Sequence, residues 1–353
     1  YSSLGALQVE SIYPVIEGYK DSASVGINAK LSDPIGLTNL SMTLGYSPDS
    51  DLSSSERTHA QLTLSHNFLT AKLTYNDADF YDLFGPTKKS RKGYSASLLY
   101  DKPLLFLEPQ LLNFKAGIAF YGDLDTLPLF QNVPTTFDTV YSAQFRYTYS
   151  NLRSTLGSVD DEKGFSWELL ANFDYADSSL IPSIIGRFDI GFPLPLAHSS
   201  VWLRNAAGAF AGPDDNPLAN IYFGGFGNNW VDNGTAKRYR DVVSLPGFEL
   251  NEIAARTFVR STLEWNLPPI RFRRAGRPGF YGNWARPAIF ASAVRAYPRN
   301  DEPQRTVYDV GGQIDFPSKG LHQWSIMLSL GYAVAFENGS VQDREAMLSL
   351  KIL

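Results

Sequence analysis

The sequence predicts an all-β fold: a transmembrane antiparallel β-barrel of about sixteen strands, lined by polar residues and coated by apolar ones. Three observations predict it. Apolar and polar residues alternate with period two from end to end. The alternating segments are about ten residues long, enough at a tilt of about 45° to cross a hydrocarbon core. The connections between them alternate short and long, as in outer-membrane barrels.

The strands can be taken in order. Ala23, Val25, Ile27, Ala29 and Leu31 are separated by Ser24, Gly26, Asn28 and Lys30. Leu40, Met42, Leu44 and Tyr46 follow, then Ala60, Leu62 and Leu64. Tyr141 to Tyr149 alternates with Ser142, Gln144, Arg146 and Thr148, and Phe165 to Tyr175 repeats the pattern. Near the end, Trp324, Ile326, Leu328, Leu330, Tyr332 and Val334 share one face, and Leu348, Leu350 and Ile352 close the chain. Such alternation puts the two sets on opposite faces of a strand. No segment has a helical period, although the Leu-rich stretch 103–112 leaves room for one helical turn.

Short connections include 32–36, 192–195 and 316–320; long ones include 47–57, 76–92, 121–137 and 212–252. Two connections on the short side, around 150–163 and 266–282, are longer than the rule prefers. The expected topology puts Ser53, Lys88, Asn132 and Asn229 outside, with Asp33, His198, Lys319 and both termini in the periplasm. Period alone also suits a soluble sandwich or propeller. Strand length, a wet-looking polar face and aromatics at strand ends favour the membrane. Those aromatics are Tyr46, Phe68, Tyr75, Tyr100, Tyr149, Tyr175, Phe192, Trp265 and Phe336, placed as interface girdles.

Composition bounds the function. The chain has 353 residues, no cysteine, 44% hydrophobic and only 19% charged residues. Absence of cysteine excludes disulfides, thiolate metal sites and a Cys nucleophile. A net charge of −5 argues against nucleic-acid binding. No apolar run is long enough for a membrane helix. The chain opens Tyr1-Ser2-Ser3-Leu4 without a signal peptide, as expected of a mature chain or the C-terminal part of a longer protein. His59, His66, His198 and His322 show no metal-ligand spacing. Gly224-Gly225-Phe226-Gly227 lacks the Lys-Ser of a phosphate loop, and Asp160-Asp161-Glu162 reads as a solvated turn. No catalytic, cofactor or metal site is expected, and the protein is not expected to be an enzyme.

Several stretches resemble the superfamily of outer-membrane assembly and secretion barrels that includes BamA, TamA and the two-partner secretion transporters, the surface-antigen barrels. Arg146-Tyr147-Thr148-Tyr149-Ser150-Asn151-Leu152-Arg153 followed by Lys163-Gly164-Phe165 is similar to its strand–turn–strand unit. Pro246-Gly247-Phe248 through Glu264-Trp265-Asn266-Leu267-Pro268 resembles its sixth outer loop and next strand, and Leu328-Ser329-Leu330-Gly331-Tyr332-Ala333 also fits. The resemblance departs at two linked points. The loop's Arg is replaced by Pro246, and its partner Asp by Ser292 in Phe290-Ala291-Ser292-Ala293-Val294. A lumen ion pair is therefore expected to be missing as a unit, which puts insertase or translocase activity in doubt. Asp33-Pro34-Ile35-Gly36 and 79–86 look like barrels fused behind a TolB-like propeller.

The resemblance implies that loop 213–252 folds into the lumen, with Pro246, Gly247, Phe248 and Glu249 as its motif. Phe248 and Glu249 are expected against an inward face carrying Arg256, Arg260 and Glu264, with Ser292 and Asp309 beside it. Lys30, Lys72, Lys115, Glu168, Arg187, Asp189, Asp315 and Lys351 are the other expected inward charges. Arg271, Arg273, Arg274 and Arg277 form a basic periplasmic turn that meets lipid headgroups or docks a periplasmic domain or partner. The whole chain, 1–353, reads as one barrel domain, with the lipid bilayer as partner and the bacterial outer membrane as location. The expected function is protein insertion, translocation or surface display; the alternatives are a membrane anchor for a soluble N-terminal domain and a porin-like channel.

Overall fold

The computed structural model describes the chain except residues 20–21, 78–82, 85–86, 91, 127–136, 215, 227–236, 278–279, 299–302, 321–324 and 353. Its wall strands are β1 (Gln8–Tyr19), β2 (Ser22–Ser32), β3 (Thr38–Tyr46), β4 (Thr58–His66), β5 (Leu69–Tyr75), β6 (Tyr94–Leu107), β7 (Gln110–Gly122) and β8 (Val140–Arg153). They continue as β9 (Lys163–Ala176), β10 (Ser179–Pro193), β11 (Ser200–Phe210), β12 (Thr257–Asn266), β13 (Phe280–Tyr297), β14 (Arg305–Lys319), β15 (Ser325–Glu337) and β16 (Ser340–Ile352). The main sheet has seventeen strands because Ile270–Arg277 continues β12 along the same neighbour, β13, so sixteen staves form the wall.

Every neighbouring pair is antiparallel and consecutive in sequence, as up-and-down connections demand. The β8–β9 ladder runs unbroken from Val140↔Ala176 to Arg153↔Lys163. Such a register holds because a one-residue slip would turn every side chain to the wrong face. The Leu-rich stretch 103–112 is strand on both sides of the Glu108-Pro109 turn, not helix. The connection at 266–282 is shortened by the strand Ile270–Arg277, while 154–162 remains a long turn.

The faces are inverted relative to a water-soluble protein. Ser24, Asn28 and Thr43 are buried, while Val25, Ile27 and Leu44 between them are exposed. On β12, Arg260, Thr262 and Glu264 are buried and Val259, Leu263 and Trp265 exposed. The outward set continues through Ile16, Leu73, Ile118, Phe173, Ile184, Ile289, Val310, Leu330 and Leu348, which places apolar surface all round the wall. Water would penalise such a belt; lipid does not. Tyr46, Phe68, Tyr75, Tyr175, Phe192 and Trp265 are exposed at or beside strand ends, the girdle position. Trp324 lies outside the described residues.

Among the described residues no ladder joins β1 to β16. Pro14, which has no N–H to donate, sits midway along β1, a position tolerated on an edge strand. The seam strands carry Glu10 and Glu17 on one side and Asp343, Arg344 and Glu345 on the other.

The chain purified in detergent is expected to give β-type circular dichroism and heat-modifiable migration on gels. High helix content, or solubility without detergent, is the contrary result. Single cysteines replacing Asp33, His198 or Lys319 should escape labelling on whole cells, and one replacing Ser53 should be labelled.

Candidate functional site

The chain leaves β11 at Phe210 and re-enters the wall at Thr257. The described parts of this connection turn inward. Ile221–Phe223 pairs with Ile253–Ala255, and Gly225 bridges Leu245, giving the loop its own narrow ladder. That ladder satisfies backbone groups which would otherwise be orphaned inside the barrel. Phe223, Leu245, Phe248 and Ile253 then pack against inward residues of four staves, Phe258, Val294, Val307 and Ala335. Further along, Phe226 and Tyr239 meet Phe290, Ala288, Ala333 and Met347. Tyr239 stacks on Phe290 with ring centroids 4.1 Å apart.

The wall makes room with small residues. Gly247 has φ +93°, and a Cβ there would lie 2.8 Å from the Ala335 amide nitrogen. Any other residue would push the loop off β15 and strain its backbone. At Gly331 a Cβ would come within 3.1 Å of the Phe226 ring.

Past the aromatic layer the contact becomes ionic. Glu264 of β12 has no exposure to water. Its carboxylate accepts from Arg240 at 2.5 and 2.9 Å and from Arg204 of β11 at 2.8 Å, with Lys237 at 3.4 Å. Lys237 also bonds the Asn266 side chain, at the end of β12. Arg204 is shared with Asp189 of β10 at 2.6 Å. Arg260 donates to the carbonyls of Tyr239, Asp241 and Val242, holding the loop backbone to the wall. A carboxylate so far from water is tolerable only with good geometry and paired charges.

A third element meets this cluster from the short-turn end. Turn 154–162 tucks inward, and Asp160 reaches Arg240 at 2.8 Å and Lys237 at 3.0 Å. Burial pushes the Asp160 carboxyl up, but the Arg240 and Lys237 charges outweigh it and hold it well below the usual carboxylate range. Asp160-Asp161-Glu162 is therefore not simply the solvated turn expected: Asp160 is captured by cations, and Glu162 is buried against Thr155 and His198.

The loop also grips the last stave. Glu345 of β16 accepts the backbone N–H of Phe226 at 3.1 Å and of Gly247 at 3.0 Å, and Arg238 donates to Ser349 at 3.0 Å.

The residues expected from the sequence divide as follows. Pro246, Gly247 and Phe248 lie buried inside the barrel. Arg260, Glu264, Ser292 and Asp309 are buried on the inward faces of β12, β13 and β14, and the Asp309 carboxylate accepts the Ser292 N–H at 3.2 Å. Glu249 is exposed and does not meet Arg256 or Arg260; its amide donates instead to the nearby Glu252 carboxylate. Arg256 is turned to the rim, where it binds the carbonyls of Gly212 and Pro213 and the Asp214 carboxylate. It sits one residue before β12, so the spacing of four that joins Arg260 to Glu264 does not extend to it. Lys72, Lys115 and Arg187 pair with Asp77, Asp101 and Glu168. Arg271 bonds the Gly157 carbonyl and Arg277 is exposed. The side chains of Arg273, Arg274 and Lys351 lie outside the description, as do Asn132, Asn229, Trp230 and most of 79–86.

Pro246 and Ser292 form no ion pair, and a different ionic contact joins the loop to the wall. Pro246 stands where the arginine was sought, but Arg240, six residues earlier on the short helical turn Arg238–Arg240, reaches the wall at Glu264 rather than at Ser292. The sequence places Lys237, Arg238, Arg240 and Asp241 in this loop beside its aromatics but gives them no wall partner, and sequence reasoning missed Asp160, Arg204 and Glu345. The run Lys237-Arg238-Tyr239-Arg240 in an otherwise cation-poor loop was the available signal.

Antiparallel staves coated with apolar residues and crossed by their own longest loop define the class, a plugged membrane β-barrel. BamA from Haemophilus ducreyi, in a crystal structure lacking POTRA domains 1-3, is similar with a TM-score of 0.55 and 15% identity over 98% of this chain and 70% of that one. CdiB from Acinetobacter baumannii gives 0.48 and 12%, over 98% of this chain and 65% of that one. No family model matches the chain, and no curated protein does. The protein therefore has the fold of the BamA-type barrels, the superfamily its motifs resemble.

Glu264→Ala should strand three cations around an empty position and destabilise the docked loop by about 3–5 kcal/mol. Protease cleavage within 237–245 of the folded barrel is the readout, and Glu249→Ala should leave it unchanged. Deleting 220–245 should turn a low-conductance barrel into an open pore in planar bilayers, since a wall of about sixteen strands encloses an aqueous channel.

Asp160 sets a pH dependence. Its folded-state pKa is depressed, so its contribution is present above the usual carboxylate range and is lost as pH falls through the lower value. Hydrogen-exchange protection of turn 154–162 should persist near neutrality and fall on acidification below about pH 4. Burial pushes the Glu162 carboxyl of the same turn up, but hydrogen bonds from Thr155 and His198 outweigh it and hold it low, so Asp160→Asn should reduce the transition rather than remove it.

Proposed function

We propose that the chain is the outer-membrane barrel of a protein assembly or secretion device, acting on polypeptide clients at the bacterial surface without a catalytic centre of its own. One observation carries this reading: the sheet ends in two edges, β1 and β16, with no ladder between them among the described residues, while the lumen is occupied by the chain's own loop. An unpaired edge inside a bilayer leaves N–H and C=O groups without water, at a cost of several kcal/mol per group. A pure anchor gains nothing from that cost. A device that offers a strand edge to another chain does. The fold shared with BamA supports the same class. In this reading the short-turn end faces the periplasm, and the lipid bilayer and a periplasmic domain or protein are the partners.

A porin-like channel is disfavoured because Phe223, Leu245 and Phe248 fill the lumen beside β12–β15 with apolar contacts. The anchor reading makes the same structural demands except for the seam, so the seam discriminates.

Liposomes carrying the protein should speed membrane insertion of an unfolded outer-membrane barrel over empty liposomes. Single cysteines replacing Ile12 and Leu348, both exposed on the seam strands, can be joined by a bifunctional maleimide, which should abolish the gain. Equal insertion with and without the protein would favour the anchor.

A further inference from the structure

The strand Ile270–Arg277 lies beyond the closed part of the wall. On one side its neighbour is β13, at eighteen residues the longest strand described. β14 and β15 follow β13 to the same level, through Tyr281↔Lys319 and Lys319↔Ser325. On the other side the wall has already ended. β11 begins at Ser200, opposite Asn266, and among the described residues nothing ladders with 270–277 there. The sheet is thus drawn out past the short-turn rim as an apron with one open edge. The eight residues of that edge run about 26 Å along the strand.

An open edge presents a row of N–H and C=O groups, a template for a further strand. Pro268, Pro269 and Pro278 flank the segment, but none lies within it, so every residue keeps its N–H. Ile270, Arg271, Ala275, Gly276 and Arg277 are exposed. A register shift between Arg271 and Ala275 bends the edge without ending it, since pairing resumes at Ala275↔Gly282 and runs to Arg277↔Phe280.

Charge selects the occupant. The chain carries a net charge of −5, yet 265–300 holds no Asp or Glu, and 270–286 holds five arginines. Arg286 is paired with Asp315 inside the wall. Arg271 donates to a neutral acceptor, the Gly157 carbonyl, and among the described residues neither it nor Arg277 has an ion-pair partner. Two copies of this strand would set arginine near arginine, and like charges on facing strands destabilise a ladder. An acidic strand brings the opposite charge. A lipid headgroup also brings it, but has no backbone to pair with the edge.

We propose that Ile270–Arg277 is a docking edge for an acidic, extended polypeptide segment of a periplasmic partner, which adds to the apron as a further strand. Backbone pairing supplies the contact and the arginines select the charge. The inference rests on the periplasmic orientation given above but not on insertion activity, because binding is read without any client. A chain that fails to insert barrels can still dock the segment.

The test uses the full chain in phosphatidylcholine nanodiscs, where both rims are open to solution. The probe is a fluorescent octapeptide of alternating Glu and Val. Its controls are the Gln-Val peptide and a Glu-Val peptide N-methylated at alternate residues, which keeps the charge but loses backbone donors. The Glu-Val peptide should bind at least about tenfold more tightly than either control, since both the ladder and the charge are required. Its binding should weaken as salt is raised from about 0.05 M to about 0.5 M. Arg277→Gln should weaken it by about threefold, the size of one exposed ion pair. Saturating peptide should slow amide exchange across 270–277 by about tenfold and leave turn 32–38 unchanged. That measurement uses the parent chain, so it decides the matter even where a variant does not fold. Equal binding of the N-methylated peptide, or no protection of 270–277, would overturn the proposal. Protection gained from phosphatidylglycerol in the disc, and not from peptide, would assign the strand to the lipid surface and overturn it as well.

Discussion

Glu264 is the fixed point on which the interior is arranged. It lies on a wall strand whose register is set by ladders to β11 and β13, so its carboxylate cannot move to meet solvent. Its charge must be met where it stands, and Arg204, Arg240 and Lys237 meet it. Two of these belong to the sixth outer loop, so the loop has to cross the lumen to deliver them. The apolar layer made by Phe223, Leu245 and Phe248 supplies most of the burial along the way. The ionic cluster supplies the stopping point. Aromatic and aliphatic contacts alone would tolerate sliding along the strand; a bidentate guanidinium on one carboxylate does not.

The same crossing connects parts of the molecule that are remote in sequence. Phe226 and Gly247 donate to Glu345 on the last stave, while Lys237 and Arg240 take Asp160 from the inner turn. One loop thus touches the seam strand, the wall centre and the inner turn. Displacing it would remove an internal brace from β16 and the ionic latch from turn 154–162 together. Coupling of this kind needs no long-range strain, only shared contacts on a single segment.

Much of this architecture was legible in the sequence, because a barrel writes its period into every stave. The alternation of Ser24, Asn28 and Thr43 with Val25, Ile27 and Leu44 gives both strand and facing once lipid is taken as the outer solvent. The sixth loop's entry was legible from Pro246-Gly247-Phe248, where a φ of +93° against β15 requires glycine. The loop's ionic partners were not. Arg240 lies six residues from the position where an arginine was sought, and loop geometry has no period from which to read that offset. Asp160 looked like part of a solvated run because its cations come from a segment 77 and 80 residues away, brought close only by the crossing. Arg256 was misplaced for the opposite reason: a period of four was extended past the end of the strand that carries it.

Whether the loop occupies the lumen along this wall can be measured most directly at Tyr239 and Phe290, since their rings stack at 4.1 Å and neither position is reachable by the other if the loop lies outside. In this cysteine-free chain, Tyr239→Cys with Phe290→Cys puts one thiol on the loop and one on the wall at positions whose side chains touch, within the span of a short bifunctional maleimide. Treating the membrane-embedded protein with that reagent should join the two positions in high yield, and before treatment both thiols should be shielded from a membrane-impermeant maleimide added outside. Failure to cross-link, with the thiol of the Tyr239→Cys substitution labelled from outside, would place the loop on the surface and contradict the account.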